Sequence, residues 1–442
     1  MSPFPIRLGS ERERSEFPDR PFFYPLNHII MIPMRTRKIL LVVLDGAGDR
    51  VVDVLDHKTP LQASRHTNLD RFASKGTCGI MDTISPGVRP GSDTAHLALL
   101  GYDPFEYYTG RGPFEAAGVG MLGRKGDVAF RCNFASVDDH INVIDRRAGR
   151  IKEPDTTDLV SCLQGMTIEG IDITVKEATE HRCVLLLSGE GLSPQVTDVD
   201  PHELGPIHRC EPTGEGAELT ARVVNEFVME SHELMEGHPV NRRRAAEGKP
   251  VANILLPRGA GVFPDIESFG SRYGMNAACI SGVSLIRGIG SIMGMEVVND
   301  PSFTGGLDSD IHLKARTALD LLNEKDFVLM NVKMADIVSH DGDYRAKMEV
   351  IERIDSMVGL LREEIDPETV VAITADHCTP VSVGDHSGDP VPLIIWSRDG
   401  VSDVVERYDE ASCARGGLGR LRGVDLMPIL LDRANRSKKF GA

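Results

Sequence analysis

The sequence lacks the features that mark several large classes of protein. No uninterrupted apolar run approaches the ~18–20 residues that a helix needs to span a bilayer, which argues against a membrane protein. The N-terminus is charged and rich in proline, and it does not resemble a signal peptide. The eight cysteines form no CxxC pair, so the sequence shows no disulfide framework of a small secreted domain and favours reduced thiols in the cytoplasm.

Positive charge is scarce as well. Lys and Arg number 49 against 66 Asp and Glu, a formal net charge of -17, and this argues against a nucleic-acid partner. No phosphate loop ending in GK[ST] is present, and no G-x-G-x-x-G follows a strand, so nucleotide binding is not indicated. We therefore expect a small-molecule substrate, which can be anionic if a few Arg line one pocket, and no membrane. The oligomeric state stays open.

Apolar runs that end in polar residues indicate the fold class. They alternate with segments of helical spacing, such as 67–76 and 346–363, and this alternation predicts an α/β fold with a mostly parallel sheet. Ligands of such sheets bind at the carboxyl ends of the strands. Four runs predict buried strands: RKILLVVL, FVLMNV, VVAIT and PLIIW.

The chain length of 442 residues predicts either two to three domains or one large domain with an insertion, at ~100–200 residues per domain. Between glycine-rich stretches the middle of the chain has short β-like runs and polar turns. We predict a discontinuous core of residues 35–123 and 264–442, interrupted by a smaller α/β domain at 124–263. Residues 1–34 are either a poorly ordered extension or residues upstream of the genuine start.

Candidate metal ligands stand near the ends of the predicted strands. Asp336 and His340 are four residues apart, so on a helical turn they share a face. A mixture of carboxylate and imidazole suits Mn²⁺ or Zn²⁺ better than Ca²⁺ or Mg²⁺. Each residue taken alone is better explained as a cap, a turn or a surface residue, but the whole set at predicted strand ends favours a metal site. The candidates are Asp45, Asp336, His340, Asp376, His377 and His386.

Ser92 is the candidate nucleophile. It follows Pro-Gly and precedes a helix-compatible run, and a helix N-terminus presents backbone N–H groups that suit a phosphate. A metal can lower the pKa of a serine hydroxyl and so activate it for attack. The alternative is an ordinary helix N-cap.

Basic residues of the middle segment are candidates for substrate binding, because Arg suits bidentate recognition of phosphate and carboxylate. The alternative for most of them is solvated surface charge. Lys333 also stands close to the candidate ligand Asp336, after a buried run. The predicted substrate-binding residues are Arg131, Arg150, Arg258 and Lys333.

Six motifs between about residues 37 and 396, taken together, resemble the archaeal-type cofactor-independent phosphoglycerate mutases of the alkaline phosphatase superfamily. They keep the order of that family along the chain. The motifs are LVVLDGAGD, KTPLQASRHTNLDRFASKG, GSDTAHLALLGYDP, GRGPFEAAG, DIVSHDGD and TADH with DHSGDPVP.

The resemblance implies an alkaline phosphatase-like three-layer core and a two-metal phosphoryl transfer through a phosphoserine on Ser92. It implies one ion held by Ser92 with Asp45, Asp376 and His377, and a second ion held by Asp336, His340 and His386. Manganese or zinc is favoured, with magnesium or cobalt as alternatives, and no 2,3-bisphosphoglycerate is required. The expected reaction interconverts 3-phosphoglycerate and 2-phosphoglycerate in glycolysis and gluconeogenesis, with the inserted domain gripping the glycerate.

Two alternatives to this hypothesis stay open. The same core serves phosphatases and mutases of other phosphorylated metabolites, and fold alone does not choose among them. A metal-binding interaction module without activity would show gaps in the ligand set, and every expected ligand is present. Two neighbours of the ligands are assigned lesser roles: Cys378 is expected to be a buried inert thiol, and Asp385 a loop residue that orients His386.

Overall fold

The computed structural model describes residues 36–441, and the predicted extension at residues 1–34 lies outside the described residues. Within residues 36–441, no helix has the length and apolar character needed to cross a bilayer. The strands of this part of the chain, in order, are β1 (Ile39–Leu44), β2 (Thr77–Asp82), β3 (Val128–Val137), β4 (Asn142–Asp145), β5 (Thr167–Ile168), β6 (Ile171–Glu177), β7 (Arg182–Ser188), β8 (Gly205–Pro206), β9 (Ile254–Val262), β10 (Ala277–Ile280), β11 (Glu296–Val298), β12 (Phe327–Val332), β13 (Val370–Thr374), β14 (Val391–Trp396) and β15 (Gly419–Arg422).

The helices alternate with these strands along most of the chain. Helix α13 begins two residues before the predicted Ala346, because the Asp343 carboxylate caps it by accepting the N–H groups of Arg345 and Ala346. The α-helices of the described residues are α1 (Pro60–Ala63), α2 (Thr67–Lys75), α3 (Ser92–Leu99), α4 (Pro104–Tyr107), α5 (Gly112–Gly118), α6 (Asp155–Ser161), α7 (Glu218–Glu236), α8 (Pro239–Ala246), α9 (Phe269–Tyr273), α10 (Ser284–Ile292), α11 (Ile311–Leu321), α12 (Met334–His340), α13 (Tyr344–Glu364), α14 (Glu410–Cys413) and α15 (Leu426–Arg433).

The larger sheet has the strand order β11-β10-β12-β1-β13-β14-β2-β15. Its pairings are parallel except those of β14, which runs antiparallel to both β13 and β2. Every residue of β1, β12 and β13 is buried, as expected for parallel strands that are covered on both faces. The α/β class with a mostly parallel sheet and three layers is confirmed.

The smaller sheet has the order β5-β6-β7-β3-β4-β8, with β9 also paired to β3, and its pairings are all antiparallel. It has a hydrophobic cluster of its own, to which helix α7 contributes. These elements lie within residues 124–263, and their separation as a domain with those boundaries stays a prediction.

The register of the larger sheet determines where the polar residues meet. Leu44 of β1 pairs with Val332 of β12, and Val43 pairs with Thr374 of β13. Because the three strands are parallel, the residues that follow them emerge at one edge of the sheet. Asp45 and Lys333 follow β1 and β12 directly, and Asp376 follows β13 by two residues.

A buried ion pair fastens two of the loops at this edge. Lys347 of α13 and Asp49 both have fully buried side chains, and the Lys347 Nζ lies 2.8 Å from the Asp49 Oδ2. The same ammonium donates to the carbonyls of Gly48 and Thr379, each at 3.1 Å. All three ammonium protons therefore have acceptors, and the loop after β1 is held against the loop after β13.

Replacing Lys347 with methionine should destabilise the protein by about 3–5 kcal/mol, because it leaves the Asp49 carboxylate buried without its cation. Guanidinium denaturation of both proteins measures the difference. Arg398→Ala is the control, since the side chain of Arg398 is 67% exposed and pairs with Glu368 at the surface. The control should change stability by less than about 1 kcal/mol. Equal stabilities of the two variants would contradict the prediction.

Candidate active site

Asp45 is a fully buried carboxylate at the end of β1. Its Oδ1 accepts a hydrogen bond from the Lys333 Nζ at 2.8 Å, and its Oδ2 accepts one from the Asn331 side-chain amide at 3.0 Å. Burial and the neighbouring Asp376 raise the pKa of Asp45. A second carboxylate so close means that positive charge is required at this position.

Asp376 and His377 complete this group. The Asp376 Oδ1 accepts the backbone N–H groups of Gly46 and His377, both at 3.1 Å. Its Oδ2 is buried without a hydrogen-bond partner and lies 3.2 Å from the His377 Nε2. A buried carboxylate oxygen without a donor is rare in folded proteins, and here it fits the ligand atom of a cation.

Ser92 is the first residue of α3, and Gly91 occupies the N-cap position. The alternative of an ordinary N-cap serine is therefore wrong, because the cap lies one residue earlier. The Ser92 Oγ lies 3.2 Å from the His377 Nε2 and 3.5 Å from the Lys333 Nζ. The hydroxyl thus faces the polar cluster.

Asp336 and His340 share a face of α12, as their spacing predicts: the His340 Nε2 lies 3.4 Å from the Asp336 Oδ1. The His386 Nε2 lies 3.6 Å from the same oxygen. The Nδ1 atoms of the two imidazoles lie 2.8 Å from backbone carbonyls, of Gly384 for His340 and of Pro90 for His386. These carbonyls accept Nδ1–H, so both Nε2 atoms are presented toward Asp336.

Electrostatics around Asp336 favour its charged form. Burial opposes ionisation, but Lys333 and the hydrogen bonds of His340 and His386 outweigh it and hold the Asp336 pKa well below its usual range. The hydrogen bond to Asp336 in turn raises the pKa of His340 to about 9. The Lys333 Nζ lies 2.7 Å from the Asp336 Oδ2 and 2.8 Å from the Asp45 Oδ1, so one ammonium contacts carboxylates of both groups.

Two groups of potential metal ligands result, with the ligand atoms of each group within 4.8 Å of one another. One combines Asp45 and Asp376 with His377, and the other combines Asp336 and His386 with His377. His340 is not part of the second group, although its Nε2 lies 3.4 Å from the Asp336 Oδ1. His377 belongs to both groups, and its ring stacks on that of His386 with centroids 3.5 Å apart. The donor set of carboxylates and imidazoles fits Mn²⁺ or Zn²⁺.

A cavity of about 1300 Å³ opens beside these groups, between the larger and the smaller sheet. Lys333, Asp336 and His340 line one side of it, and basic residues of the segment 124–263 line the other. All four predicted substrate-binding residues line the cavity: Arg131, Arg150, Arg258 and Lys333. Further cations in its wall are Arg146, Arg147, Lys152 and Arg182. This concentration of positive charge suits an anionic substrate.

Two of the arginines have donors without partners. The Nε atoms of Arg131 and Arg182 are buried and make no hydrogen bond. Burial and the charge of Arg111 lower the pKa of Arg131 to about 9. Buried guanidinium groups without full pairing are stabilised by an anion, so the surroundings of Arg131 suit an anionic ligand. By contrast, Arg243 and Arg244 of the NRRR cluster pair with Asp155 and do not line the cavity.

The sequence analysis missed three buried residues that contact side chains of the site. Asp200 is fully buried and accepts hydrogen bonds from the Arg146 guanidinium at 3.0–3.2 Å. The Asn331 side-chain amide donates a hydrogen bond to Asp45, and the Thr379 hydroxyl bonds both His377 and Asp336. The sole signals in the sequence are the acidic run DVD around Asp200 and the position of Thr379 two residues after His377. Of the two lesser assignments, Asp385 accepts the backbone N–H of His386 at 2.8 Å, and the Cys378 thiol is fully buried.

The fold and the site together define an α/β protein in which a serine and two groups of potential metal ligands meet at the carboxyl edge of a mostly parallel sheet. The chain belongs to the family of 2,3-bisphosphoglycerate-independent phosphoglycerate mutases. A sequence model of this family matches residues 73–241. A mutase of that name from Methanopyrus kandleri is 52% identical over 415 residues, which cover 92% of this chain and 98% of that protein.

Solved structures show the same relationship. A protein from Pyrococcus horikoshii is 38% identical, with a TM-score of 0.81 over 92% of this chain and 100% of that one. A cofactor-independent phosphoglycerate mutase from Thermoplasma acidophilum is also 38% identical, with a TM-score of 0.67 over 90% of this chain and 100% of that one. The predicted family and enzyme class are confirmed.

Proposed function

We propose that this chain interconverts 3-phosphoglycerate and 2-phosphoglycerate through a phosphoserine on Ser92. The observation that carries the proposal is the position of the Ser92 hydroxyl. Its oxygen lies 3.2 Å from His377, which belongs to both ligand groups, and 3.5 Å from Lys333, which lines the arginine-rich cavity. A phosphorylated substrate in that cavity places its phosphate next to the serine.

The transfer has two halves that mirror each other. In the first, the Ser92 Oγ forms a bond to phosphorus while the bond from phosphorus to the substrate oxygen breaks. The proton lost by Ser92 is balanced by the proton gained by the leaving glycerate oxygen. In the second half, the other glycerate hydroxyl takes the phosphoryl group and Ser92 regains a proton. No 2,3-bisphosphoglycerate enters this cycle.

Two divalent ions, Mn²⁺ or Zn²⁺, are proposed as the cofactors. Asp45, Ser92, Asp376 and His377 would hold one, and Asp336, His340 and His386 the other. Bound there, such ions neutralise phosphoryl charge and lower the pKa of the serine hydroxyl. The uncompensated Asp376 oxygen and the two Nε2 atoms turned toward Asp336 support this assignment.

The remaining residues bind and orient the glycerate. Arg131, Arg150 and Arg258 present guanidinium groups to the cavity from the segment 124–263, and Lys333 faces them from the larger sheet. Held between them, the glycerate stays oriented while the phosphoryl group resides on Ser92. Exclusion of water from the cleft limits hydrolysis of the phosphoserine.

Product analysis tests the proposal against its main alternative. The protein is incubated with 3-phosphoglycerate and Mn²⁺, and 2-phosphoglycerate and inorganic phosphate are followed together. The mutase reaction predicts that 2-phosphoglycerate forms with little free phosphate. Release of phosphate as the predominant product would instead establish a metal-dependent phosphatase, and no reaction at all would point to another phosphorylated metabolite.

Replacing Arg131 with alanine should raise the KM for 3-phosphoglycerate by about 10–100-fold, the value of one charge-assisted hydrogen bond to a carboxylate or phosphate. The fold should persist, because Glu115 keeps its partner Arg111 at 3.0 Å. Arg243→Ala is the matched control, since Arg243 pairs with Asp155 outside the cavity lining. Steady-state kinetics measure both variants, and equal KM values would remove Arg131 from the binding site.

A further inference from the structure

The hydroxyl of Thr379 joins the two groups of proposed metal ligands. Thr379 is fully buried, and its Oγ1 lies 3.0 Å from the Nδ1 of His377 and 2.9 Å from the Oδ1 of Asp336. His377 and Asp336 otherwise approach each other no closer than 4.0 Å between these atoms. The Thr379 hydroxyl therefore links His377 and Asp336 by two hydrogen bonds.

The direction of the two hydrogen bonds is fixed by what each group can donate. The Asp336 carboxylate lies 2.7 Å from the Lys333 ammonium and acts as an acceptor, so the Thr379 hydroxyl donates its proton to Asp336. The hydroxyl oxygen then accepts the proton of His377 Nδ1. His377 is consequently protonated on Nδ1, and the lone pair of its Nε2 points toward Ser92 and Asp376, at 3.2 Å from each.

The other two imidazoles of the site are arranged differently. The Nδ1 atoms of His340 and His386 are anchored on the backbone carbonyls of Gly384 and Pro90, which are not side chains of proposed ligands. Their tautomers are set locally. The tautomer of His377 is set by a side chain that is bound to a ligand of the other group, so its state depends on where Asp336 lies.

The backbone of Thr379 is held on both sides. Its N–H donates to the carbonyl of Gly48 at 3.1 Å, and its carbonyl accepts from the Lys347 Nζ at 3.1 Å. Both partners belong to elements that are buried at the carboxyl edge of the larger sheet. The hydroxyl is thus presented from a fixed position.

We propose that Thr379 is a positioning residue that presents the Nε2 of His377 to one proposed metal ion and couples that ion to the second one through Asp336. The inference rests on the two-metal function proposed above. It differs from a space-filling role for Thr379, which valine, with nearly the same shape, would fulfil.

The experiment compares Thr379→Val and Thr379→Ser with wild type and with Thr374→Val. Thr374 is the matched control, because it is equally buried and its hydroxyl bonds the backbone carbonyls of Ala375 and Pro392. Each protein is depleted of metal and titrated calorimetrically with Mn²⁺, and the visible absorption of the Co²⁺-loaded form is recorded. We expect Thr379→Val to weaken metal binding by about 10–100-fold and to change the Co²⁺ spectrum.

Thr379→Ser should restore both readouts, Thr374→Val should change neither, and the KM for 3-phosphoglycerate should stay within about twofold of wild type because Thr379 does not face the cavity lining. Wild-type metal affinity and a wild-type Co²⁺ spectrum in Thr379→Val would overturn the inference alone. A wild-type protein that binds fewer than two ions would overturn both the inference and the proposed function.

A measurement on the wild type keeps the inference testable if Thr379→Val does not fold. Histidine labelled with ¹⁵N distinguishes the two tautomers by the chemical shifts of the ring nitrogens. The signal of His377, identified by its loss in His377→Gln, should show the proton on Nδ1. A proton on Nε2 in the metal-depleted protein would overturn the inference.

Discussion

Ser92→Ala should lower the kcat for the conversion of 3-phosphoglycerate by about 10⁴-fold or more, because the proposed reaction has no route to product without the serine oxygen. The second measurement detects the covalent phosphoserine. Rapid quenching of the wild type with substrate should trap one phosphoryl group on Ser92, visible in the mass of the peptide, and the variant should trap none. The hydroxyl is buried to 7% exposure beside His377, so the loss of one oxygen leaves the fold intact.

Ser339→Ala serves as the control for this substitution. Ser339 is buried on α12 between Asp336 and His340, but its hydroxyl donates to the carbonyl of Ala335 and faces no proposed ligand. Its kcat should stay within about threefold of wild type, since a mid-helix hydroxyl that bonds its own turn contributes little. A Ser92→Ala enzyme with more than about a tenth of wild-type kcat would rule out the phosphoserine route.

The position of the site was predictable because burial and polarity change abruptly at the ends of the central strands. In β1, six consecutive buried residues precede Asp45, and in β13 five precede Ala375 and Asp376. An apolar run of that length followed by a carboxylate indicates a strand covered on both faces with a ligand at its end. The resemblance to a known family then suggested the roles proposed for these residues, which spacing alone did not.

The order and direction of the strands were not predictable in this way. The run PLIIW resembles those of β1 and β13, yet β14 is antiparallel to β13 and to β2. A fully buried strand lacks the alternation of apolar and polar residues seen in a half-buried strand. Its composition therefore does not indicate whether it pairs parallel or antiparallel. Likewise, β1 lies between β12 and β13, which are distant in sequence, and only tertiary pairing establishes that neighbourhood.

Arginine clusters were an ambiguous signal for a physical reason. Arg131 and Arg182 face the cavity with unpartnered Nε atoms, whereas Arg243 and Arg244 are neutralised by one acid, Asp155. The sequence shows the cations but not which of them are already paired across the fold. Asp200 and Thr379 escaped notice for the same reason, since Asp200 bonds Arg146 and Thr379 bonds Asp336, and both partners are distant in sequence.

The two groups of proposed ligands predict how many metal ions each variant binds. His386 belongs only to the group of Asp336, and Asp376 belongs only to the group of Asp45. His386→Ala and Asp376→Asn should therefore each retain one of two ions, and each should lower kcat by at least about 10³-fold, because stabilisation of phosphoryl charge by one ion is worth several kcal/mol. Elemental analysis after dialysis against limiting Mn²⁺ measures the stoichiometry. His312→Ala is the histidine control, since the His312 Nε2 bonds Ser356 at the surface.

The double variant His386→Ala/Asp376→Asn decides whether the two losses are distinct. If each substitution empties a different position, the double variant binds no ion, and the Co²⁺ spectra of the two single variants differ because their remaining ligands differ. His377→Ala should empty the position of Asp45 and also weaken the other ion, since the His377 imidazole bonds Thr379, which contacts Asp336, and stacks on His386. Retention of one ion by the double variant would show that His386 and Asp376 serve the same position, and the separation into two groups would then be wrong.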